Sequence, residues 1–324
     1  MRVKGHWVGV AAAVVFVARV AAAADVAIEF QDDSVQQQLH VRIEGQAAFT
    51  YCYSTNRDQP HIFPLRSPSG KSMTVQQTEP YPHHRSFWFT DTVQLEGQRA
   101  ASFYNALYTG TGDKQNPQPP FRDRIRHVSV TTTDLGASRT GELSAKLLWE
   151  MDHGKTPVLD DARRIRIVAL GAGEYFLDLD FTLTATYGDV TFRSDAVHYA
   201  WPFIRLNDEF NAKGGGVLRN SEGGQGEAET NLKPARWMDF SRADESAAEG
   251  VAIFSHPANE HPHKWLTRDY GCFGPRRIDA RSGQPFTLKK GEQISTRVGV
   301  LIHRGDAQTG RVAERYQAYS RGEL

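Results

Sequence analysis

A strict alternation of apolar and polar residues near the middle of the chain limits its fold more than any other feature. Leu177, Leu179, Phe181, Leu183 and Ala185 alternate with two aspartates and three threonines. Successive side chains of a β-strand point to opposite faces, so this period of two predicts a strand with one buried and one solvated face. An α-helix would need apolar residues three or four positions apart, and the segment therefore belongs to a sheet.

Other parts of the chain show the same strand-like composition, and turns rich in Gly, Pro and Ser separate them. No helical period falls between these stretches, so we predict an all-β fold, an antiparallel β-sandwich. One helix is predicted near the C-terminus, where Asp306 or Thr309 can cap it and Val312, Tyr316 and Tyr319 share a helical face. The further predicted strands are 48–53, 128–132, 143–149, 165–170, 250–254 and 296–302.

The first 24 residues have the three parts of a secretory signal peptide. A basic start precedes an apolar run from Trp7 to Ala18, and the alanines 21–24 form a small-residue exit. The run is shorter than the roughly 20 residues that span a membrane. We expect cleavage after Ala24, a secreted or periplasmic location, and one β-sandwich domain over residues 25–324. An uncleaved membrane anchor is the alternative.

Charge and cysteine content narrow the function classes. The predicted signal holds three of the 38 basic residues and no acidic one, so the mature chain has a net charge of about −3. No basic excess indicates a nucleic-acid partner or an anionic membrane. An oxidising compartment permits a disulfide between Cys52 and Cys272, and the sequence leaves their pairing open. No cysteine-based metal spacing is present.

Two short stretches concentrate the chemistry-bearing side chains. The first, YPHHRSFWF at 81–89, places two histidines and an arginine before an aromatic strand. If Phe87 and Phe89 face the core, Trp88 faces the other way, and in an extended chain His83 and His84 point to opposite sides. The second, HPANEHPHKWLTRDYG at 256–271, follows a predicted strand and holds three histidines, two cations, two carboxylates, a phenol and an indole. A rigid sheet that ends in such a loop is typical of a functional site.

Several ordered motifs resemble one family. They are PHHR at 82–85, NSEG at 220–223, ARW at 235–237, HPxN at 256–259 and WxxRDYG at 265–271. Together they resemble the DUF6807 family, often labelled PmoA-like. The sequence departs from the family pattern at Cys272 and is shorter after Phe273.

The resemblance implies a secreted bacterial β-sandwich of the supersandwich or mutarotase-like type with a place in glycan breakdown. It supplies no catalytic assignment. The PmoA label belongs to an integral membrane subunit, and the mature chain has no apolar stretch of 18 residues to match that architecture.

The function predicted first is a carbohydrate-active enzyme, a glycan lyase or a hydrolase. Sugar rings stack on aromatic faces, and base chemistry could use His84 or His263, with Tyr270 as the acid and Arg85 or Arg268 opposite a uronate carboxylate. Hydrolysis instead needs a pair of carboxylates across the bond. Candidates for that pair are Glu222, Glu227 and Asp269.

Two other classes remain open. A non-catalytic glycan-binding module would explain the tryptophans. A metal-dependent oxidase or hydrolase could use a His-ligated divalent metal, drawn from His83, His84, His198, His256, His261 and His263. No cofactor is predicted, the expected partner is a poly- or oligosaccharide, and the oligomeric state is left open.

The predicted site residues fall into two sets. The catalytic set is His84, Arg85, His263, Arg268, Asp269 and Tyr270. The substrate-binding set is His83, Trp88, Glu222, Trp237, His256, Asn259, His261 and Trp265, in which Trp88, Trp237 and Trp265 are expected to act as sugar platforms.

Overall fold

The structure is a computed structural model. It describes Met1 and residues 27–108, 121–134, 139–193, 199–242, 248–259, 264–276 and 285–324. The predicted signal peptide after Met1 and the domain start at residue 25 lie outside the described residues. Within the described ranges, no helix is both long and apolar enough to cross a membrane.

The first of three antiparallel sheets forms one wall of a sandwich. Its inward side chains alternate along each strand, as Leu39 and Val41 do, and they pack in the main hydrophobic core. Its eight strands, in spatial order, are β1 (Ile28–Asp33), β2 (Gln38–Ile43), β3 (Gln46–Cys52), β4 (His61–Leu65), β5 (Phe87–Trp88), β13 (Phe203–Arg205), β18 (Cys272–Pro275) and β17 (Trp265–Arg268).

The second sheet forms the facing wall and contains the longest strands. The apolar residues of the alternating segment, from Leu177 to Leu183, are all buried in the same core as the first sheet. The prediction of an antiparallel β-sandwich is therefore confirmed. In spatial order the eight strands are β14 (Gly216–Asn220), β15 (Trp237–Arg242), β16 (Glu249–Ser255), β20 (Gln293–Arg304), β11 (Glu174–Thr184), β10 (Thr156–Gly171), β9 (Thr140–Met151) and β8 (Arg124–Asp134).

A small third sheet covers part of the same core. Val93, Val190 and Phe192 from this sheet are fully buried with residues of the two large sheets, so the three sheets share one apolar interior. Its four strands, in spatial order, are β19 (Phe286–Leu288), β12 (Val190–Phe192), β6 (Thr92–Leu95) and β7 (Ala100–Ser102).

Two helices are described, α1 (Gly226–Thr230) and α2 (Val312–Ser320). The predicted face of α2 is confirmed, since Val312, Tyr316 and Tyr319 are its buried residues. The predicted cap is wrong. Asp306 accepts backbone hydrogen bonds from Gln308 and Thr309 and closes the preceding turn, while the residue before α2 makes no capping bond.

Helix α2 corrects a detail of the predicted solvated face. Asp178 lies on that face but is buried, because α2 packs across the second sheet there. Its carboxylate accepts bonds from the Tyr319 hydroxyl at 3.2 Å and from the Arg297 guanidinium at 2.6 and 2.8 Å. The buried charge is thus paired, as burial of a carboxylate requires.

Cys52 and Cys272 are both free and both buried. Cys52 ends β3 and Cys272 begins β18, and three strands of the first sheet lie between them. Burial raises the pKa of the Cys52 thiol to about 11 and that of Cys272 to about 12, so both remain protonated thiols at neutral pH.

Candidate functional site

The outer face of the first sheet, opposite the core, carries the candidate site. Ile62 on β4 and Phe87 on β5 face the core and pair across the two strands. Since side chains alternate, His61 and Trp88 point to the opposite face. Trp88 packs there with residues outside the main core, including Phe203 at a ring distance of 4.9 Å. The predicted opposition of Phe87 and Trp88 is therefore correct.

A set of aromatic and imidazole rings gathers on this face, and we call it the histidine–tyrosine cluster. Three segments supply it: the turn before β5, the stretch after β7, and the turn that joins β17 to β18. Ring contacts link them into one group, since Tyr81 stacks on His84 at 4.8 Å and on Tyr270 at 5.5 Å. The cluster consists of Tyr81, His83, His84, Tyr104, Tyr108 and Tyr270.

His83 and His84 lie on the same side of the chain, because residues 78–84 form turns rather than an extended strand. The amide of Tyr81 donates to the Thr78 carbonyl, and the amide of His84 donates to the Tyr81 carbonyl. The two imidazole rings meet edge to face with their centres 4.5 Å apart. The expectation of opposite sides, which required an extended chain, is therefore wrong.

The two histidines differ in exposure. His84 is 2% exposed, and a hydrogen bond of 2.8 Å joins its Nε2 to the Tyr104 hydroxyl. Burial, with the nearby His83 and Arg205, lowers the pKa of His84 to about 2, so its ring is neutral. His83 is only partly buried, and its Nδ1 lies 3.0 Å from the Tyr108 hydroxyl. His83 is thus the imidazole nearer to solvent.

Tyr270 sits between an aromatic ring and a cation. The guanidinium of Arg205 lies 4.1 Å from the centre of the Tyr270 ring and donates to the Tyr270 carbonyl at 2.6 Å. Burial, with Cys272 and Tyr81 nearby, raises the pKa of the phenol, and the opposing effect of Arg205 and Arg268 is smaller. The phenol therefore keeps its proton at neutral pH and can act as an acid.

A glycine shapes the turn that presents Tyr270. Gly271 has a φ of +89°, a conformation that residues with a Cβ rarely adopt. A Cβ at this position would also lie 2.8 Å from the Cβ atoms of Asn211 and Leu206. The close approach lets the Gly271 carbonyl accept a hydrogen bond from Leu206 at 2.8 Å, which ties the turn to the end of β13.

Carboxylates beside the cluster are engaged with each other's backbone. Asp269 accepts a hydrogen bond from the amide of Glu227 at 2.8 Å, and its own amide donates to the Glu227 carboxylate at 3.1 Å. Arg268 lies 3.4 Å from the same carboxylate. This reciprocal pairing holds α1 against the end of β17 and places Arg268, Asp269 and Tyr270 together.

Arg85 does not reach the surface, which corrects its predicted contact with a uronate. The side chains of Arg85 and Asp58 are both fully buried and form an ion pair, with Nε of Arg85 3.0 Å from the carboxylate. A buried ion pair of this kind is a structural element of the sheet.

Two of the predicted sugar platforms are also wrong. Trp265 has no exposed surface, packs in the main core and donates from its indole to the Ala235 carbonyl at 2.9 Å. Trp88 is 2% exposed. A ring without an exposed face cannot stack on a sugar, so both side chains stabilise the sheet instead.

Four other predicted residues make the contacts described next, and none of these contacts is with the histidine–tyrosine cluster. Trp237 packs with the apolar residues under α2, and the His256 ring meets Tyr319 at 5.1 Å. Asn259 bonds to the backbone of Arg297 through both ends of its amide, and Glu222 pairs with Arg236 at 3.4 Å. The structure thus brings together the first stretch and the end of the second, and it places the start of the second elsewhere.

His198, His261 and His263 lie outside the described residues. Within the described part of the chain, no group of three or more His, Cys, Asp or Glu side chains is placed to hold a metal ion. The predicted roles of these three histidines stay predictions.

Sequence reasoning missed several residues of the site. Tyr104 and Tyr108 belong to the aromatic-rich run FYNALY at 103–108, and Tyr81 begins the first stretch. Arg205 ends a fully buried three-residue strand, a position where a cation is unusual. The sequence signals that could have identified these residues were the tyrosines of the 103–108 run and an arginine directly after the apolar pair Phe203–Ile204.

The lowered pKa values of His61 and His84 predict that the protein loses stability in acid. Burial, with Arg85 nearby, lowers the pKa of His61 to about 3, and that of His84 is about 2. The unfolded chain takes up these protons first, near pH 6.5, so stability is complete above that pH and falls below it. Between pH 6.5 and 5 we expect a fall of about 1.4 kcal/mol per pH unit for each histidine, measured by urea unfolding.

A matched variant separates these histidines from other titrating groups. Burial also lowers the pKa of His127 to about 4, so three histidines contribute to this pH dependence. His84→Phe keeps an aromatic ring and removes one of the three, so about a third of the pH dependence should disappear. An unchanged slope in this variant would contradict the assignment.

The fold and the site define a class: an antiparallel β-sandwich of three sheets with a histidine–tyrosine cluster on the outer face of one sheet. The family model described as "Family of unknown function (DUF6807)" matches residues 38–317. The chain belongs to this family.

Two solved structures are similar to this chain at low sequence identity, and the first of them, with a TM-score above 0.5, shows the shared fold. The GH36 alpha-galactosidase AgaB from Geobacillus stearothermophilus superposes with a TM-score of 0.53 at 8% identity, over 87% of this chain and 42% of that one. The alpha-galactosidase from Lactobacillus brevis gives a TM-score of 0.46 at 8% identity, over 84% of this chain and 40% of that one. This chain thus spans less than half the length of either enzyme. A search of curated proteins found no match.

Proposed function

We propose that this chain is an exported carbohydrate-active enzyme that acts on a glycan at the histidine–tyrosine cluster. One observation carries the proposal. The partly exposed imidazole of His83, the protonated phenol of Tyr270 and two guanidinium groups lie on one face of the first sheet. The two guanidinium groups are those of Arg205 and Arg268. These are the groups that proton transfer beside an anionic centre requires. The fold of a GH36 alpha-galactosidase, shared over most of this chain, supports a carbohydrate ligand.

The chemistry favoured by the cluster is β-elimination, the lyase reaction. His83 takes the proton from the sugar carbon next to a carboxylate, and the electron pair forms a carbon–carbon double bond. The glycosidic carbon–oxygen bond breaks, and Tyr270 gives its proton to the leaving oxygen. Solvent then returns the proton from His83 to Tyr270, so that no further reactant is consumed.

Each group is suited to its step by its surroundings. When Nδ1 of His83 donates to the Tyr108 oxygen 3.0 Å away, Nε2 carries the lone pair that accepts a proton. The raised pKa of Tyr270 keeps the phenol protonated until the leaving oxygen needs it. Arg268, about a third exposed, supplies positive charge opposite the substrate carboxylate. The buried His84 has a positioning role beneath His83.

Hydrolysis receives less support from the described residues. It requires two carboxylates on opposite sides of the scissile bond, with a gap for a sugar or water between them. Glu227 and Asp269 instead bond directly to each other's backbone amides, and Glu222 pairs with Arg236. None of the three is thereby set across a cleft from another.

The test is a screen of the purified mature protein against uronate-containing and neutral glycans, with and without a chelator. We expect a chelator-insensitive rise in the absorbance of unsaturated uronates. New reducing ends without that absorbance would replace elimination by hydrolysis, and loss of activity with chelator would indicate a metal site. Glycan binding without turnover on any substrate would favour a binding module.

A further inference from the structure

A pocket on the same outer face carries the further inference. It lies over β2, β3 and β4 and has a volume of about 640 Å³. This volume lies within the range of typical small-molecule sites. Neither the sequence motifs nor the histidine–tyrosine cluster accounts for it.

The wall of this pocket is positively charged. Arg42, Arg57 and Arg66 line it, and among its described lining residues none is Asp or Glu. Arg57 donates to the side-chain oxygen of Gln77 at 3.0 Å, and Arg66 donates to the Gly70 carbonyl at 2.9 Å. These acceptors are neutral, so they orient the two guanidinium groups without cancelling their charge. Of these three arginines, Arg42 alone forms an ion pair within the described part of the chain, with Glu29 at 3.8 Å.

The rest of the lining suits hydroxyl groups. Side-chain amides of Gln36, Gln38 and Asn56 contribute to the wall, and an amide can both donate and accept. His61 and Gln76 also line the pocket, and both carry side-chain groups that can form hydrogen bonds with a sugar hydroxyl.

A short segment connects the pocket to the histidine–tyrosine cluster. Gln77, which holds Arg57 through its side chain, donates from its amide to the His84 carbonyl at 3.0 Å. The pocket strand β4 also pairs directly with β5, which follows the cluster's turn. Neighbouring strands lie about 4.8 Å apart, so a glycan laid across the sheet reaches both places.

We propose that this pocket is a subsite that binds the anionic group of a sugar residue flanking the one that reacts, with Arg57 and Arg66 as its ligands. A guanidinium matches the geometry of a carboxylate or sulfate and pairs with it through two hydrogen bonds. The inference rests on the proposed function, and it adds that the substrate is a polyanionic glycan in which acidic groups recur.

Binding of small acidic sugars to the full mature protein tests the subsite. Glucuronate, glucose 6-sulfate and glucose are titrated by calorimetry into the native protein and into the double variant Arg57→Gln, Arg66→Gln. We expect one or both anionic sugars to bind more tightly than glucose, and the double variant to weaken that binding at least tenfold. The tighter of the two identifies carboxylate or sulfate as the recognised group.

Arg164→Gln is the matched control, since Arg164 is an exposed arginine on β10 of the second sheet. It should leave binding unchanged. Equal affinity for glucose and both anions, or full anion binding by the double variant, would overturn the inference. A melting temperature for each variant identifies any loss that comes from unfolding.

The two proposals fail in different ways. If the native protein cleaves an acidic glycan and the double variant has the same KM, the enzyme proposal stands and the subsite is refuted. If no glycan is cleaved but the double variant loses glucuronate or sulfate binding, the anion site stands and the enzyme proposal is refuted.

Discussion

Replacing His83 with alanine is expected to lower glycan turnover by about 10²–10⁴-fold, the usual contribution of a general base. The loss should appear in kcat rather than in KM, because the ring is proposed to act on the reacting proton and the neighbouring side chains still bind the sugar. Tyr270→Phe should act similarly, since it removes the proton for the leaving oxygen but keeps the ring that stacks on Tyr81. Steady-state kinetics on the most active glycan of the screen measure both effects.

The matched control for this prediction is His153→Asn. His153 is exposed, lies in the turn between β9 and β10, and has a φ of +59° that asparagine tolerates. Its turnover should equal that of the native protein. Should His83→Ala retain full turnover, His83 is not the base. Should it weaken binding moderately in a protein without turnover, a glycan-binding module explains the cluster better.

Breaking the buried Asp58–Arg85 pair is expected to destabilise the fold by about 3–5 kcal/mol. Asp58→Asn keeps the shape of the side chain but leaves the Arg85 guanidinium buried without its counter-charge. Total stabilities of domains are about 5–15 kcal/mol, so this loss is a large share of the whole. Urea unfolding of the native protein and the variant measures the difference.

Two further variants test whether burial of the ion pair explains the loss of stability. Glu323→Gln breaks an ion pair whose side chains are both more than half exposed, and such pairs contribute at most about 1 kcal/mol. The double variant Asp58→Leu, Arg85→Met removes both buried charges and should recover much of the stability. If Asp58→Asn costs no more than Glu323→Gln, the buried pair does not hold this part of the sheet.

The strands of the sandwich could be predicted because their periodicity is local. From Leu177 to Leu183 the alternation fixes which side chains face the main core, and the predicted strands 143–149 and 296–302 fall within β9 and β20. The order of strands could not be predicted. The two-residue strand β5 has too few positions for a pattern, and its place beside β13 depends on pairing across more than a hundred residues.

The candidate site was predicted only in part, because residue types are visible in the sequence but contacts between distant segments are not. The run at 81–89 and the turn at 268–271 were both recognised from residue type, and the structure joins them through Tyr81 and Tyr270. The sequence does not show how deeply a side chain is buried. Arg85 and Trp265 were therefore predicted to contact the substrate, although both are buried. The charge of the pocket is spread over Arg42, Arg57 and Arg66 on separate strands and loops, which no motif reveals.

The position of the last strand has a consequence for synthesis. β20 lies in the middle of the second sheet, paired with β11 on one side and β16 on the other. A ribosome must therefore deliver residues up to about Arg304 before that sheet can close, and pairings so distant in sequence form slowly. Until then the second sheet is incomplete, and its unpaired strand edges are exposed to strand-to-strand aggregation.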